Sequence, residues 1–153
     1  MNDLYDTDLL QWSEHQGALL RRRAAGELIN EAELDWPHVA EEIEALGKSE
    51  RSALASHIAT IIEHLAKLEA SPAIEPRIGW QETILRARAD IEDVLAASPS
   101  LRPTLDAVVV RQHGRALRLV TSSLALYGET PRVVVANIQY RSDRVLGAWF
   151  PVG

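Results

Sequence analysis

Three groups of side chains in this sequence have the types and spacing to do chemistry. The first is a run of carboxylates, Glu41, Glu42 and Glu44, followed by Glu50 and by two histidines, His57 and His64. Carboxylates and imidazoles form the ligand set of metal-binding helical bundles. Those bundles place inward carboxylates beside a Glu-x-x-His pair on each of two helices. No Glu-x-x-His occurs here, and Asp35-Trp36-Pro37-His38 has the spacing only at a helix cap. Glu41 and Glu44, three apart, share a helix face turned away from Ile43, as solvated charges do. His57 and His64 are two turns apart, about 10 Å at roughly 1.5 Å per residue, too far to ligate one metal directly. With Glu50 they could line a polar groove beside the core; structural or surface histidines are the simpler reading. No metal or cofactor is assigned, and His15, His38 and His113 have no partner that the sequence identifies.

The second group is Arg111, Arg115 and Arg118, spaced four and three, which makes one basic ridge on a helix. Such a ridge can track phosphates. It has no interleaved aromatic residues, and a net charge of −6 repels polyphosphate at long range. Nucleic acid is therefore a disfavoured partner. The third group is Ser122-Ser123, which lacks the Gly-x-Ser-x-Gly elbow of a serine nucleophile. There is no Walker loop, no Gly-x-Gly-x-x-Gly and no His-Glu-x-x-His. The absence of cysteine excludes disulfides, thiol catalysis and cysteine-ligated zinc or iron–sulfur sites. No catalytic residue is identified.

The elements that position these groups follow from periodicity. Val39, Ile43, Leu46, Leu54, Ile58, Ile61, Leu65 and Leu68 hold one helical phase, broken at a single seam position, Glu50. That phase lasts about eight turns and predicts one long helix, or two nearly collinear ones, with a single buried stripe. Gly47 and Ser49 are its weak point, where a C-cap and a new N-cap would split it. Asp35 reads as its N-cap, with Pro37 tolerated in the first turn.

Before it, a helix is expected from Thr7 as N-cap, with Leu9, Trp12, Leu19 and Leu20 inward, Gln16 interrupting them and Gly26 ending it. After it, Trp80, Ile84, Ala87, Ile91 and Leu95 define a third helix, preceded by Gly79 and stopped by Ser98-Pro99. Ser100 is the expected cap of the last long helix. Its apolar face is Leu101, Leu105, Val108, Val109, Ala116, Leu119, Val120, Leu124 and Tyr127, and Gly128 ends it. The sequence thus predicts an all-α, up-and-down bundle with main helices at 7–25, 36–70, 80–97 and 101–127, in one domain over 1–153.

The tail, 131–153, is apolar and β-branched at Val133, Val134, Val135 and Ile138, and Ser142 is a candidate cap for one more turn. Without a second strand in the chain, an isolated strand is disfavoured. An apolar tail of this kind covers the bundle, or it pairs with a symmetry mate in a dimer. Val133, Val135, Ile138, Val145, Leu146, Trp149 and Phe150 are the residues expected to be covered.

Charge is unevenly spread: residues 1–50 carry a net −8, residues 51–100 a net −2 and residues 101–153 a net +4. The acidic opening, Met1 to Asp6, has no apolar run of a signal peptide, and no segment approaches the roughly 18 apolar residues of a membrane span. A cytoplasmic location fits a chain without cysteine.

Several blocks carry a family resemblance. They are Tyr5-Asp6-x-Asp8-Leu9-x-x-Trp12, Leu19-Leu20-Arg21, and Leu34-Asp35-x-x-x-Val39-Ala40-Glu41-Glu42-Ile43-Glu44-x-Leu46-Gly47-Lys48-Ser49-Glu50. With them go His64-Leu65-x-Lys67, Trp80-x-x-Thr83-Ile84, Pro99-Ser100-Leu101 and Tyr140-x-x-x-x-Val145-Leu146. Together the chain resembles the bacterial domain-of-unknown-function family 29. It departs from the family at Gly79, where a serine cap is usual, and in the β-branched run 132–138. The resemblance implies an all-helical bacterial protein and brings no activity, substrate or catalytic residue with it. Two functions follow as expectations. One is a protein-interaction or regulatory module without catalysis, its partner another protein or a second copy. The other is a metal-binding or enzymatic bundle using the glutamates and histidines of the long helix.

Overall fold

Every regular element is helical, because the apolar residues recur at three and four and the breakers fall between the runs. A computed structural model describes residues 4–152; Met1–Asp3, in the acidic opening, and Gly153, at the end of the tail, lie outside the described residues. The helices are α1 (Leu4–Thr7), α2 (Leu9–Ala24), α3 (Trp36–Ala70), α4 (Arg77–Ala97), α5 (Leu105–Leu126) and α6 (Ser142–Leu146). The four expected main helices are α2 to α5, and no strand occurs among the described residues. None of these helices is long and apolar enough to cross a membrane. Chain contacts define two compact units, Met1–Lys48 and Ser49–Gly153, whose boundary falls inside α3.

In the first unit, Thr7 belongs to α1 and is not the expected cap of α2. Asp8 takes that role and accepts from the Gln11 amide at 2.9 Å. An aspartate also meets the positive end of the helix dipole, which the threonine hydroxyl does not. Gly26, at φ +84°, ends α2; its amide bonds to the Arg23 carbonyl and the Glu27 amide to Arg22. Trp12, Leu19 and Leu34 are buried. Gln16, read as an interruption, is also buried, 2% exposed. Its Nε2 donates to the Glu33 carbonyl at 3.0 Å, and its Oε1 accepts from the Asp35 amide at 2.8 Å. Both ends of the amide are thus used to pin the connector between α2 and α3, which explains a polar residue on an apolar face.

α3 runs unbroken through Gly47 and Ser49. Its stripe does not stay buried, however. Leu54, Ile58, Ile61, Leu65 and Leu68 are at most 1% exposed, whereas Ile43 and Leu46, on the same stripe, are 64% and 69% exposed. Helical phase sets which face a residue shares; it does not supply a neighbour to cover that face.

In the second unit, α3 from Ser49 onward, α4 and α5 share one core. α4 begins at Arg77 rather than at Trp80, with Pro76 as N-cap and Gly79 inside the first turn. Ile84, Ala87, Ile91 and Leu95 are buried as the spacing requires, and Trp80 packs against the core partly buried. Ser100 caps nothing: Pro99–Thr104 forms a 3-10 turn, and α5 starts at Leu105 without a side-chain cap. Leu101, Val108, Val109, Ala116, Val120 and Leu124 are buried, but Leu119 and Tyr127 are exposed, while Leu117 is buried in their place. Gly128, at φ +66°, terminates α5.

The tail is a strap over this core. Val135, Ile138, Tyr140 and Val145 are buried, and Leu146, Trp149 and Phe150 pack against them. Val133 is exposed rather than covered. Ser142 is the first residue of α6 and not its cap, a place held by Arg141. The strap is anchored through polar atoms as well. Arg132 donates to the Leu68 carbonyl at 3.0 Å, and Tyr140 Oη donates to Glu69 Oε2 at 2.8 Å. Burial, reinforced by that carboxylate, pushes the Tyr140 phenol well above its ordinary value.

Candidate functional site

The side chains singled out by sequence do not gather in one place. Glu41 and Glu44 are exposed. Glu42 accepts a hydrogen bond from Tyr5 Oη at 2.6 Å, and Glu50 accepts one from Ser98 Oγ at 3.0 Å. His57 Nδ1 stands 3.9 Å from Asp90 Oδ2, too long for a hydrogen bond. His64 Nδ1 donates to the carbonyl of Thr60 on its own helix at 2.8 Å, and burial holds its pKa below the usual imidazole value. Glu42, Glu50 and His64 therefore each have a separate hydrogen-bond partner. Among the described residues, no three of His, Asp and Glu stand where they could hold a metal ion. Arg111, Arg115 and Arg118 are exposed along α5, as a ridge requires.

A polar and aromatic cluster does form in the first unit, around His38, for which residue spacing identifies no partner. Asp35 Oδ2 accepts from His38 Nδ1 at 2.7 Å and from Trp12 Nε1 at 3.0 Å. The Tyr5 ring stacks on the His38 ring, 3.8 Å between centroids and 12° between planes, and meets Trp12 edge-on at 4.9 Å. The hydrogen bond to Asp35 raises the His38 pKa and lowers that of Asp35. The bond to Glu42, with burial and the nearby Glu41, pushes the Tyr5 phenol up to about 12. The Asp35–His38 pair fixes Nδ1 as the protonated nitrogen and leaves Nε2 free to exchange a proton. The Tyr5 hydroxyl and the Trp12 indole N–H each donate to a carboxylate of the cluster, Glu42 and Asp35, which ties α1, α2 and the start of α3 together. Its signals were in the sequence: Tyr5 and Trp12 in the opening block, Asp35 as a cap and His38 three residues on. What was missing was the fold that brings residue 5 against residue 38.

The second unit carries a groove between α3 and α5. Three adjoining cavities, of about 360, 300 and 210 Å³, run along the seam. The first and second share Glu63 and Leu119; the second and third share Lys67 and Ser123. Arg115 lines the first. Leu119, unexplained as a core residue, is thus a groove wall, and Tyr127 lines the far end.

This helical chain falls in a family whose description names no activity. Residues 4–149 match the family described as domain of unknown function DUF29, and the chain is a member of it. No curated protein and no solved structure matches the chain significantly.

Proposed function

We propose that this protein is a non-catalytic interaction module whose contact surface is the N-terminal half of α3. One observation carries the reading: Trp36, Ile43 and Leu46, spaced seven and three, are 52%, 64% and 69% exposed on one side of a helix. Large apolar side chains grouped this way on a folded protein mark a contact surface. Tryptophan is also among the residues that dominate protein–protein contacts. The Arg ridge of α5, without aromatic residues beside it, gives nucleic acid a weaker claim than protein. The test is a double variant, Ile43→Asp with Leu46→Asp, expressed in the source cells. The wild type is expected to run in native-size fractionation above the size of a single chain, and the variant to fall to it with unchanged helicity and Tm. A wild type at single-chain size, or a variant that keeps the larger size, would contradict the reading.

A further inference from the structure

We infer that the C-terminal strap is an acid-released cover, which lifts from the core when His113 of α5 takes up a proton. The device lies in the second unit and does not depend on the α3 stripe. α5 packs directly against the 3-10 turn at Val135–Asn137 and against α6, so residues on that face of α5 lie beneath the strap. His113 is half-buried there. Its ring meets Tyr140 edge-on, 6.1 Å between centroids, and Tyr140 in turn meets Trp149 at 5.9 Å. His113 Nε2 is buried and has no hydrogen-bond partner among the described residues. In the imidazolium both ring nitrogens are donors. Protonation therefore leaves a charged N–H buried without an acceptor, an arrangement that costs far more than a neutral unfilled one.

Charge beneath the strap points the same way. The charged and titratable groups there are Glu69 at the end of α3, Arg88 on α4, and Tyr140 and Arg144 in the strap. Arg111 and Arg115 on α5 and Asp143 on α6 are exposed. Arg88 is bonded to the carbonyls of Val145, Arg144 and Trp149 and to no carboxylate among the described residues, and its Nη1 is also buried without a partner. Arg144 lies over the Trp149 ring at 4.6 Å. Glu69, the acid of the group, already accepts from the Tyr140 hydroxyl at 2.8 Å. A protonated His113 adds a cation where positive charge is in excess. Burial holds the His113 pKa below the ordinary imidazole value, and the Ile138 carbonyl offsets only part of that. With the strap detached the ring is in water, at an ordinary pKa of about 6.5. The open form thus binds the proton more tightly, and falling pH favours it. Opening uncovers Val135, Ile138, Tyr140 and Val145, each at most 7% exposed in the closed form, so acid turns a covered apolar face into a contact surface.

Native-state amide exchange on the purified full chain tests this, followed by NMR at pH 7 and pH 5 and corrected for intrinsic exchange. The reporters are the hydrogen-bonded strap amides of Ile138, Val145 and Gly147, with the Ile61 amide of α3 as the reference for global unfolding. In the wild type the opening constant of the strap is expected to exceed that at Ile61. It is expected to rise at least about threefold from pH 7 to pH 5, with a ceiling of about 25-fold for one proton bound at about pH 6.5. His113→Gln, neutral at both pH values, is expected to abolish the rise, and His113→Leu repeats the test with an apolar side chain. His64→Gln, which alters the other buried imidazole, is expected to leave the rise at the strap intact. A wild-type rise below about threefold, or one that persists in the His113 variants, would overturn the inference. So would strap amides that exchange only together with Ile61, because the strap would then open with the whole fold.

Discussion

Arg88 Nε donates to the carbonyl oxygen of Val145 at 3.0 Å, and so joins the middle of α4 to α6. Its Nη2 reaches two more strap carbonyls, Arg144 at 2.9 Å and Trp149 at 2.8 Å, and the guanidinium stacks over Phe150 at 5.1 Å. One side chain therefore closes the strap. Arg88→Ala is expected to cost about 2 kcal/mol or more, because charge-assisted bonds are lost and carbonyls are left without donors. Arg88→Lys should recover little of this, since an ammonium cannot reproduce the fork. Denaturant unfolding measures the loss, and limited proteolysis across 142–150 locates it. An Arg88→Ala protein with unchanged midpoint and cleavage would show that the clamp is idle.

Gln16 offers a second test, of the connector. Gln16→Leu keeps the apolar volume but leaves the Asp35 amide and the Glu33 carbonyl without partners, at about 1–3 kcal/mol for an unsatisfied buried group. A stabilised Gln16→Leu protein would mean that those groups find water instead.

The stripe of α3 predicts opposite outcomes along one helix. Ile61→Ala is expected to destabilise the fold by about 2–5 kcal/mol, as buried truncations do. Leu46→Ala, on the same phase, should stay within about 0.5 kcal/mol under conditions where the chain is monomeric. Equal losses at both positions would contradict the burial described here.

His38 should titrate above the ordinary imidazole value of about 6.5. Its raised pKa means that its contribution to stability is present below about 6.5 and is lost as pH rises through the folded value. Asp35, with its pKa lowered, contributes above its unfolded value and loses that contribution as pH falls through the folded one. The pair therefore works between those limits. His64 and His113 run the other way: burial lowers both, so each begins to destabilise the fold as pH falls through about 6.5. Imidazole proton NMR across pH 4–9, with Asp35→Asn as the control, separates them. A His38 that titrates at the same pH in wild type and Asp35→Asn would contradict the coupling.

How far the sequence reached depended on whether a feature was local. The four main helices were legible from three-and-four spacing, and the strap from its apolar tail. Breakers locate the ends of helices, but cap chemistry is less legible: Asp8 caps α2 in place of Thr7, and α5 and α6 start without any side-chain cap at all. Helical phase alone predicts burial of Ile43 and Leu46, and phase says nothing about what lies opposite. The cluster at His38 joins residues up to 37 positions apart, Tyr5 to Glu42, which periodicity cannot see. Leu119 and Tyr127 read as core for the same reason; in the fold they border a groove.

The central claim is that α3 meets a protein along Trp36, Ile43 and Leu46. Site-specific photo-cross-linking in the source cells tests it most directly, with the photoreactive residue at position 46 and, as control, at position 28. Leu28 is 96% exposed and lies in the connector rather than on the stripe. Position 46 is expected to give a discrete covalent product, a doubled chain if the partner is a second copy, while position 28 gives none. Equal or absent products at the two positions would contradict the account.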